Sequence, residues 1–342
     1  MKKLLLSILA VAALASCSKI DVEYDAPAEI AFTPIADNVT KSMMTGETFL
    51  TSESFNVWAW YKQVEANTTV EDWGASADEH LYITEGTFEH RTGNNWGGST
   101  PYYWPKVGSL LFAGYYPASV ADKVEYQFDA SNNQMVFTGI KQSVVDTEGY
   151  TEDLMYFNMT DKSYKSGPVE VVFKHALSWA TVNLSRTNAN ADGADYPMIK
   201  VESVTFTNVN PKGTGTVVGT DGIISWELTG TDAPTTVTPD DGVVLTTTAQ
   251  QQKEPLFIPQ ELTNDMELQV NYTIYSSATE WFNETYSTKL SAITPTTVGN
   301  TTTKAWLPGK HYIYNISVGI EEILIDPAVT AWDEVTVGVP VQ

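Results

Sequence analysis

The sequence predicts an all-β protein with two domains in tandem. Three observations lead there. Hydrophobic residues recur at period two almost throughout the chain, as in Phe55, Val57 and Ala59 or Val270, Tyr272 and Ile274. Clusters of Asn, Asp, Gly and Pro break these runs at short intervals, as at Asn94-Asn95, Gly97-Gly98, Pro211-Lys212-Gly213 and Asp241-Gly242. No amphipathic helix longer than two turns is found; only Ala118 to Lys123 suggests a single turn. Many short strands with regular turn signals mean sandwiches or barrels.

In chain order, the first element is a targeting segment. Lys2 and Lys3 precede an apolar run from Leu4 to Leu14, which reads as a secretory signal and is too short to span a bilayer. It ends in Leu14-Ala15-Ser16-Cys17, which resembles a bacterial lipobox. Cys17 is the only cysteine, so it has no internal disulfide partner. Residues 1–16 are therefore expected to be removed and Cys17 to carry lipid, which anchors a protein without spanning the membrane. Residues 17–28 are polar and acidic and read as a tether.

The strand-rich remainder divides at the polar stretch Lys162-Ser163-Tyr164-Lys165-Ser166-Gly167-Pro168. The expectation is an N-terminal β-sandwich over 29–165 and a C-terminal one over 166–342. A new alternating run, Val169, Val171 and Phe173, opens the second half.

Composition excludes more than it assigns. The formal net charge is −23, and loss of Lys2 and Lys3 makes the mature chain more acidic still. Such a chain repels nucleic acid backbones and anionic lipid surfaces. Its histidines, His80, His90, His175 and His311, show no metal-ligand spacing. Asp78-Glu79-His80 puts neighbouring side chains on opposite faces of a strand. Ser178 near His175 lacks the Gly-x-Ser-x-Gly setting of a nucleophile, and Gly213-Thr214-Gly215 reads as a turn. With 42 acidic residues, no carboxylate pair stands out. The expectation is a protein that is not an enzyme and has no metal or cofactor.

The two ends carry the functional signal. Ile30 and Phe32 share one face of a first strand, followed by the polar stretch Asp37-Asn38-Val39-Thr40-Lys41-Ser42. A cut after Lys41 would release that strand, and the vacated groove would expose apolar core and unpaired backbone. At the other end, Val335, Val337, Val339 and Val341 fall at every second position. A strand with one wholly apolar face fits either the last strand of its own domain or a strand donated to a neighbour's sheet. Burying four valines contributes roughly 6–12 kcal/mol before association costs. Pro340 removes one ladder donor, so one edge stays unpaired near its end.

An ordered set of segments resembles the fimbrillin (FimA/Mfa-type) family of Bacteroidales pilus lipoproteins. After the lipobox come Ile30-Ala31-Phe32, Thr40-Lys41-Ser42, Phe55-Asn56-Val57-Trp58-Ala59 and Tyr102-Tyr103-Trp104-Pro105. Then follow Leu111 to Pro117, Asp153-Leu154-Met155-Tyr156, Val171 to Ser178, Leu256 to Gln260, Leu307 to Tyr312 and the Trp332 segment. The resemblance implies two transthyretin-like β-sandwich domains. It implies export as an outer membrane lipoprotein, proteolytic removal of the first strand, and entry of another subunit's C-terminal strand (about residues 321–342) into the groove. Partners would be other copies of the chain, other pilus subunits and, before processing, the outer membrane through the lipid. The implied role is a structural pilus subunit, with the extended C-terminal strand favouring the stalk over a tip or anchor.

The best-known processing enzymes of that family cut after arginine. Here Lys41 stands at the matching place, and the first arginine is Arg91. Either the processing enzyme accepts lysine, or the subunit keeps its first strand and lipid, as an anchor would. A reading of a different class is a monomeric glycan-binding surface lipoprotein, with Trp96 and Trp104 as stacking residues.

Overall fold

The computed structural model describes residues 27–36, 51–62, 81–106, 108–122, 125–129, 134–141, 153–163, 167–190, 194–218, 222–294, 296–298, 301–320 and 323–331. Their regular secondary structure is almost entirely strand. The first half comprises β1 (Ala31–Ala36), β2 (Ser54–Lys62), β3 (Leu81–His90), β4 (Trp96–Gly98), β5 (Ser109–Tyr116), β6 (Glu125–Asp129), β7 (Gln134–Lys141), β8 (Met155–Ser163) and β9 (Val169–His175). Next come β10 (Ser178–Arg186), β11 (Met198–Val209), β12 (Lys212–Val218), β13 (Ser225–Leu228), β14 (Ala233–Thr236), β15 (Val243–Val244), β16 (Gln250–Gln251), β17 (Leu256–Phe257) and β18 (Gln260–Glu261). The chain continues through β19 (Glu267–Tyr275), β20 (Trp281–Lys289), a four-residue helix α1 (Leu290–Ile293), β21 (Thr296–Val298), β22 (Thr301–Thr303), β23 (Ala305–Trp306), β24 (Lys310–Val318) and β25 (Ile323–Ala331). The single turn expected from Ala118 is a 3-10 turn over Ala118–Asp122.

Seven strands close a barrel in the order β1-β4-β3-β2-β5-β8-β9. Its interior is an apolar core holding Phe32, Phe55, Val57, Phe88, Phe112, Phe157 and Phe173. Outside the barrel lies a four-stranded sheet, β13-β12-β7-β6. A second core fills the space between, with Trp58, Trp60, Leu111 and Tyr115 from the barrel strands and Phe137, Val217 and Ile224 from the covering layer. That sandwiching explains β5, whose eight residues are all buried. Leu110 and Phe112 point into the barrel, Leu111 and Ala113 into the outer core. The covering sheet joins β7 to β12 antiparallel, so it draws strands from both sides of residue 165.

The C-terminal half stacks two sheets. One runs β16-β10-β24-β25 with β17 also on β10, the other β14-β11-β19-β20 with β15 also on β11. Between them lies a third core that includes Val182, Leu184, Val204, Phe206, Leu268, Val270, Tyr312, Tyr314 and Ile316. Phe206 meets Phe257, Trp306 and Tyr314 edge-on, at centroid distances of 5.1, 5.8 and 5.5 Å.

Two expected turns are strands instead. Gly97 and Gly98 belong to β4, and Gly213 and Gly215 to β12. In each case bulk from a neighbour occupies the place of the missing side chain, the usual meaning of glycine inside a strand. A Cβ on Gly98 would lie 2.3 Å from the Thr100 carbonyl oxygen, and one on Gly215 only 2.6 Å from Ile224.

Candidate functional site

The site with the clearest architecture is the slot held by the first strand. β1 has sheet partners on both sides. Ala31 and Phe32 pair antiparallel with Gly97 and Trp96 of β4, and Phe32 to Ala36 pair parallel with Val169 to Phe173 of β9. Just before it, the Ile30 amide donates to the Tyr102 carbonyl at 2.7 Å, and the Trp104 amide donates to Ala28 at 2.9 Å. β1 therefore closes the barrel between β4 and β9. Pro34 lies past the end of the β4 pairing, where a missing N–H is tolerated.

The side chains follow the alternation. Ile30 and Phe32 are fully buried, and Thr33 and Ile35 are half-buried. Phe32 sits at the centre of an aromatic cage. Its centroid lies 4.7 Å from Phe88, 5.1 Å from Phe112, 5.9 Å from Phe55 and 6.2 Å from Phe157, the first three edge-on. Edge-to-face pairs of this kind are each worth about 0.5–1.5 kcal/mol beyond area burial. Lys41, the candidate processing residue, lies outside the described residues, in the connection between β1 and β2. Chain connectivity makes that connection the only covalent link between β1 and the strands that follow it.

At the far end, β25 pairs antiparallel with β24 from Val318↔Ile323 to Lys310↔Ala331 and is the outermost strand of its sheet. Its other edge carries no partner among the described residues. Ile323, Ile325 and Val329 pack on the core, whereas Leu324 is 51% exposed. Cys17, the tether, the Trp332 segment and the donor valines Val335, Val337, Val339 and Val341 lie outside the described residues.

The histidines do not converge. His175 pairs with Asp153 at 2.7 Å where β9 ends, both side chains buried. His90 lies beside Trp96, with Nε2 2.8 Å from the Gly93 carbonyl. His311 stacks on Trp179 in another sheet, and His80 lies outside the described residues. Ser178 donates its hydroxyl to the Leu307 carbonyl at 2.8 Å. No group of three His, Cys, Asp or Glu side chains among the described residues could hold a metal ion. No described helix is long and apolar enough to cross a membrane.

The expected sugar-stacking residues are misplaced. Trp96 and Trp104 are core residues, because both flank the first strand and pack into the barrel. The most exposed aromatics among the described residues are instead Trp281 and Phe282 at the start of β20, ahead of Tyr82, Tyr103 and Tyr196. Sequence reasoning passed over them, although two alternating runs separated by Ser276 to Glu280 have the form of a hairpin.

A fimbrillin-like family model matches residues 40–332. The chain belongs to the fimbrillin-like family. Among curated proteins, none matches the sequence. Among solved structures, this fimbrillin-like chain is similar to a candidate cell adhesion protein from Bacteroides uniformis ATCC 8492, with a TM-score of 0.53 and 16% identity over 89% of this chain and 99% of that one. A fimbrial protein from Bacteroides vulgatus ATCC 8482 gives a TM-score of 0.52 and 15% identity over 88% and 99%. A candidate cell adhesion protein from Bacteroides ovatus ATCC 8483 gives 0.51 and 15% over 90% and 98%. At these identities the likeness is one of fold.

Proposed function

We propose that this protein is a structural pilus subunit, exported to the cell surface, that polymerises by strand exchange. The observation that carries the reading is β1. It is an N-terminal strand with sheet partners on both sides, its Phe32 is caged in the barrel core, and it is joined to the rest only through the segment containing Lys41. Cleavage after Lys41 leaves β1 held by non-covalent contacts alone. Its departure uncovers the aromatic cage and the edges of β4 and β9. A strand that presents an apolar side chain at every second position satisfies both, and Val335, Val337, Val339 and Val341 supply that pattern in another copy. Because donor and slot are different surfaces, the contact is heterologous and grows an open filament.

In this reading Cys17 carries the lipid of an outer membrane precursor, the partners are further copies and other pilus subunits, and the donor strand makes this a stalk subunit. Its two transthyretin-like units divide near residue 165, with β9, β12 and β13 from the later part of the chain completing the barrel and covering sheet of the first. The test uses the mature chain without lipid. Brief digestion with a lysine-specific protease, with sequencing of the new N-terminus, is expected to give Ser42 and an SDS-resistant ladder with filaments. A parallel sample lacking residues 334–342 is expected to be cut and to stay monomeric. A full-length protein that stays monomeric after the Lys41 cut overturns the stalk role.

A further inference from the structure

The hairpin β19–β20 bears a surface that strand exchange does not use. We propose that the outer face of β11, β19 and β20 is a binding site for a neutral hexopyranose-containing glycan, with Trp281 as the stacking platform. β20 is the edge strand of its sheet. Leu268, Val270 and Ile274 of β19 face the core, so the alternate residues face outward, and the register sets Tyr275 opposite Trp281, Thr273 opposite Asn283 and Asn271 opposite Thr285.

Trp281 is 55% exposed, and its ring centroid lies 6.3 Å from that of Tyr275, with the planes tilted by 43°. Beside the pair is a depression of about 420 Å³, lined among others by Glu202, Thr273 and Asn283. The polar groups around it are already held. Lys200 Nζ lies 2.7 Å from Glu202 Oε2. The Thr273 hydroxyl lies 3.1 Å from Glu202 Oε1 and 2.9 Å from Asn283 Oδ1. Thr285 donates to Asn271 Oδ1 at 2.8 Å, and Asn271 donates in turn to the Ser203 hydroxyl at 2.8 Å.

A hydroxyl has one proton, so Thr273 serves Glu202 or Asn283 but not both at once. One acceptor is always left for a ligand, and the Asn283 amide supplies donors next to it. A pyranose has the complementary make-up: one face of C–H groups that packs on an indole, and a rim of hydroxyls that donate and accept. The net charge of −23 repels uronates and sialic acids at long range, which selects neutral sugars. A β-strand ligand would need backbone groups at the β20 edge, whereas the side chains gathered here lie on the sheet face.

The test is native affinity electrophoresis of the mature chain in gels containing mannan, a neutral galactan or xyloglucan, with alginate as the acidic control. Retardation is expected with at least one neutral polymer and not with alginate. Trp281→Ala is expected to weaken it about tenfold or more, and Asn283→Ala in the same direction. Phe282→Ala, which removes an equally exposed ring from the opposite face of the strand, is expected to leave it unchanged. No retardation by any neutral polymer, or equal retardation of Trp281→Ala and the parent, overturns the proposal. So does loss of filament assembly in Trp281→Ala without any retardation of the parent, which would assign the face to protein contact.

Discussion

The first and last described strands stand in opposite relations to the sheets they join. β1 has partners on both sides, one parallel and one antiparallel, and its Phe32 is fully buried, as is Ile30 just before it. β25 is longer, yet it has one partner among the described residues, and none of the side chains from Ile323 to Val329 is fully buried. The strand that the proposed mechanism removes is therefore the more deeply held. A strand this well packed leaves slowly unless a replacement arrives, and the same burial makes the slot worth filling. β25 shows the complementary economy: it adds Ile323, Ile325 and Val329 to the core while standing outermost in its sheet.

The contrast is broken most directly at Phe32. Phe32→Ala empties the centre of the aromatic cage and is expected to lower stability by about 3–5 kcal/mol, the cost of large-to-small changes in well-packed cores. Urea unfolding of the uncleaved mature chain measures it as a lower midpoint at unchanged slope. A loss under about 1 kcal/mol would mean that the cage collapses around the gap and that β1 is not the anchor of the barrel. In the cleaved protein the same substitution should speed release of β1, because it weakens the departing strand and leaves the slot intact.

The reason β1 and its neighbour β9 were legible and its other neighbour β4 was not is physical. Ile30 and Phe32 declare their common face by spacing alone. β4, which pairs with them, is Trp96-Gly97-Gly98, and a glycine pair in sequence signals a turn. Only the folded molecule shows Thr100 and Tyr102 packed where a Cβ at Gly98 would be. Trp58 and Trp60 were legible as strand residues, but period two cannot tell a solvent face from one covered by another sheet. Trp281 raises the converse difficulty: an aromatic residue in an alternating run reads as core, and it is exposed because β20 is an edge strand.

Acid should separate the two regions. His311 lies on β24, the only described partner of β25, with its ring stacked on Trp179 at 3.5 Å between centroids and 6° between planes. Thr181 Oγ1 lies 2.8 Å from His311 Nε2 and donates to Glu254 Oε1 at 2.7 Å. With its proton committed to the carboxylate, Thr181 accepts, so Nε2 carries the imidazole proton. Burial pushes the His311 imidazole down to about 4. A folded state that prefers the neutral ring holds its full stability above the ordinary value near 6.5. It loses stability as pH falls from there toward 4, about 3 kcal/mol over the whole window. Burial pushes the Glu254 carboxyl up, which has the opposite sign, so the fall is read as a difference. His311→Gln keeps a donor for Thr181 and removes the titration. Between pH 7 and 4 the parent is expected to lose about 3 kcal/mol more than this variant. Parallel curves would show that the ring is solvated in the folded protein, and the weaker hold on β25 would then not extend to its partner.

The smallest expected effect lies on β25 itself. Leu324 points away from the core, opposite Ser317 of β24, while Ile323 and Ile325 on either side pack inward. Leu324→Ser removes an exposed side chain and should change stability by no more than about 0.5 kcal/mol, measured by thermal unfolding of the uncleaved chain. Its value lies in what a larger effect would mean. A loss near 2 kcal/mol would require Leu324 to be covered, either by chain beyond Ala331 folded back on its own sheet or by a second copy. The first would make the C-terminal valines part of their own domain, and dilution would leave the loss unchanged. The second would make the loss shrink on dilution, as an association equilibrium requires. Near-zero cost instead keeps the outer face of β25 free, as expected of a sheet edge from which a donor strand departs.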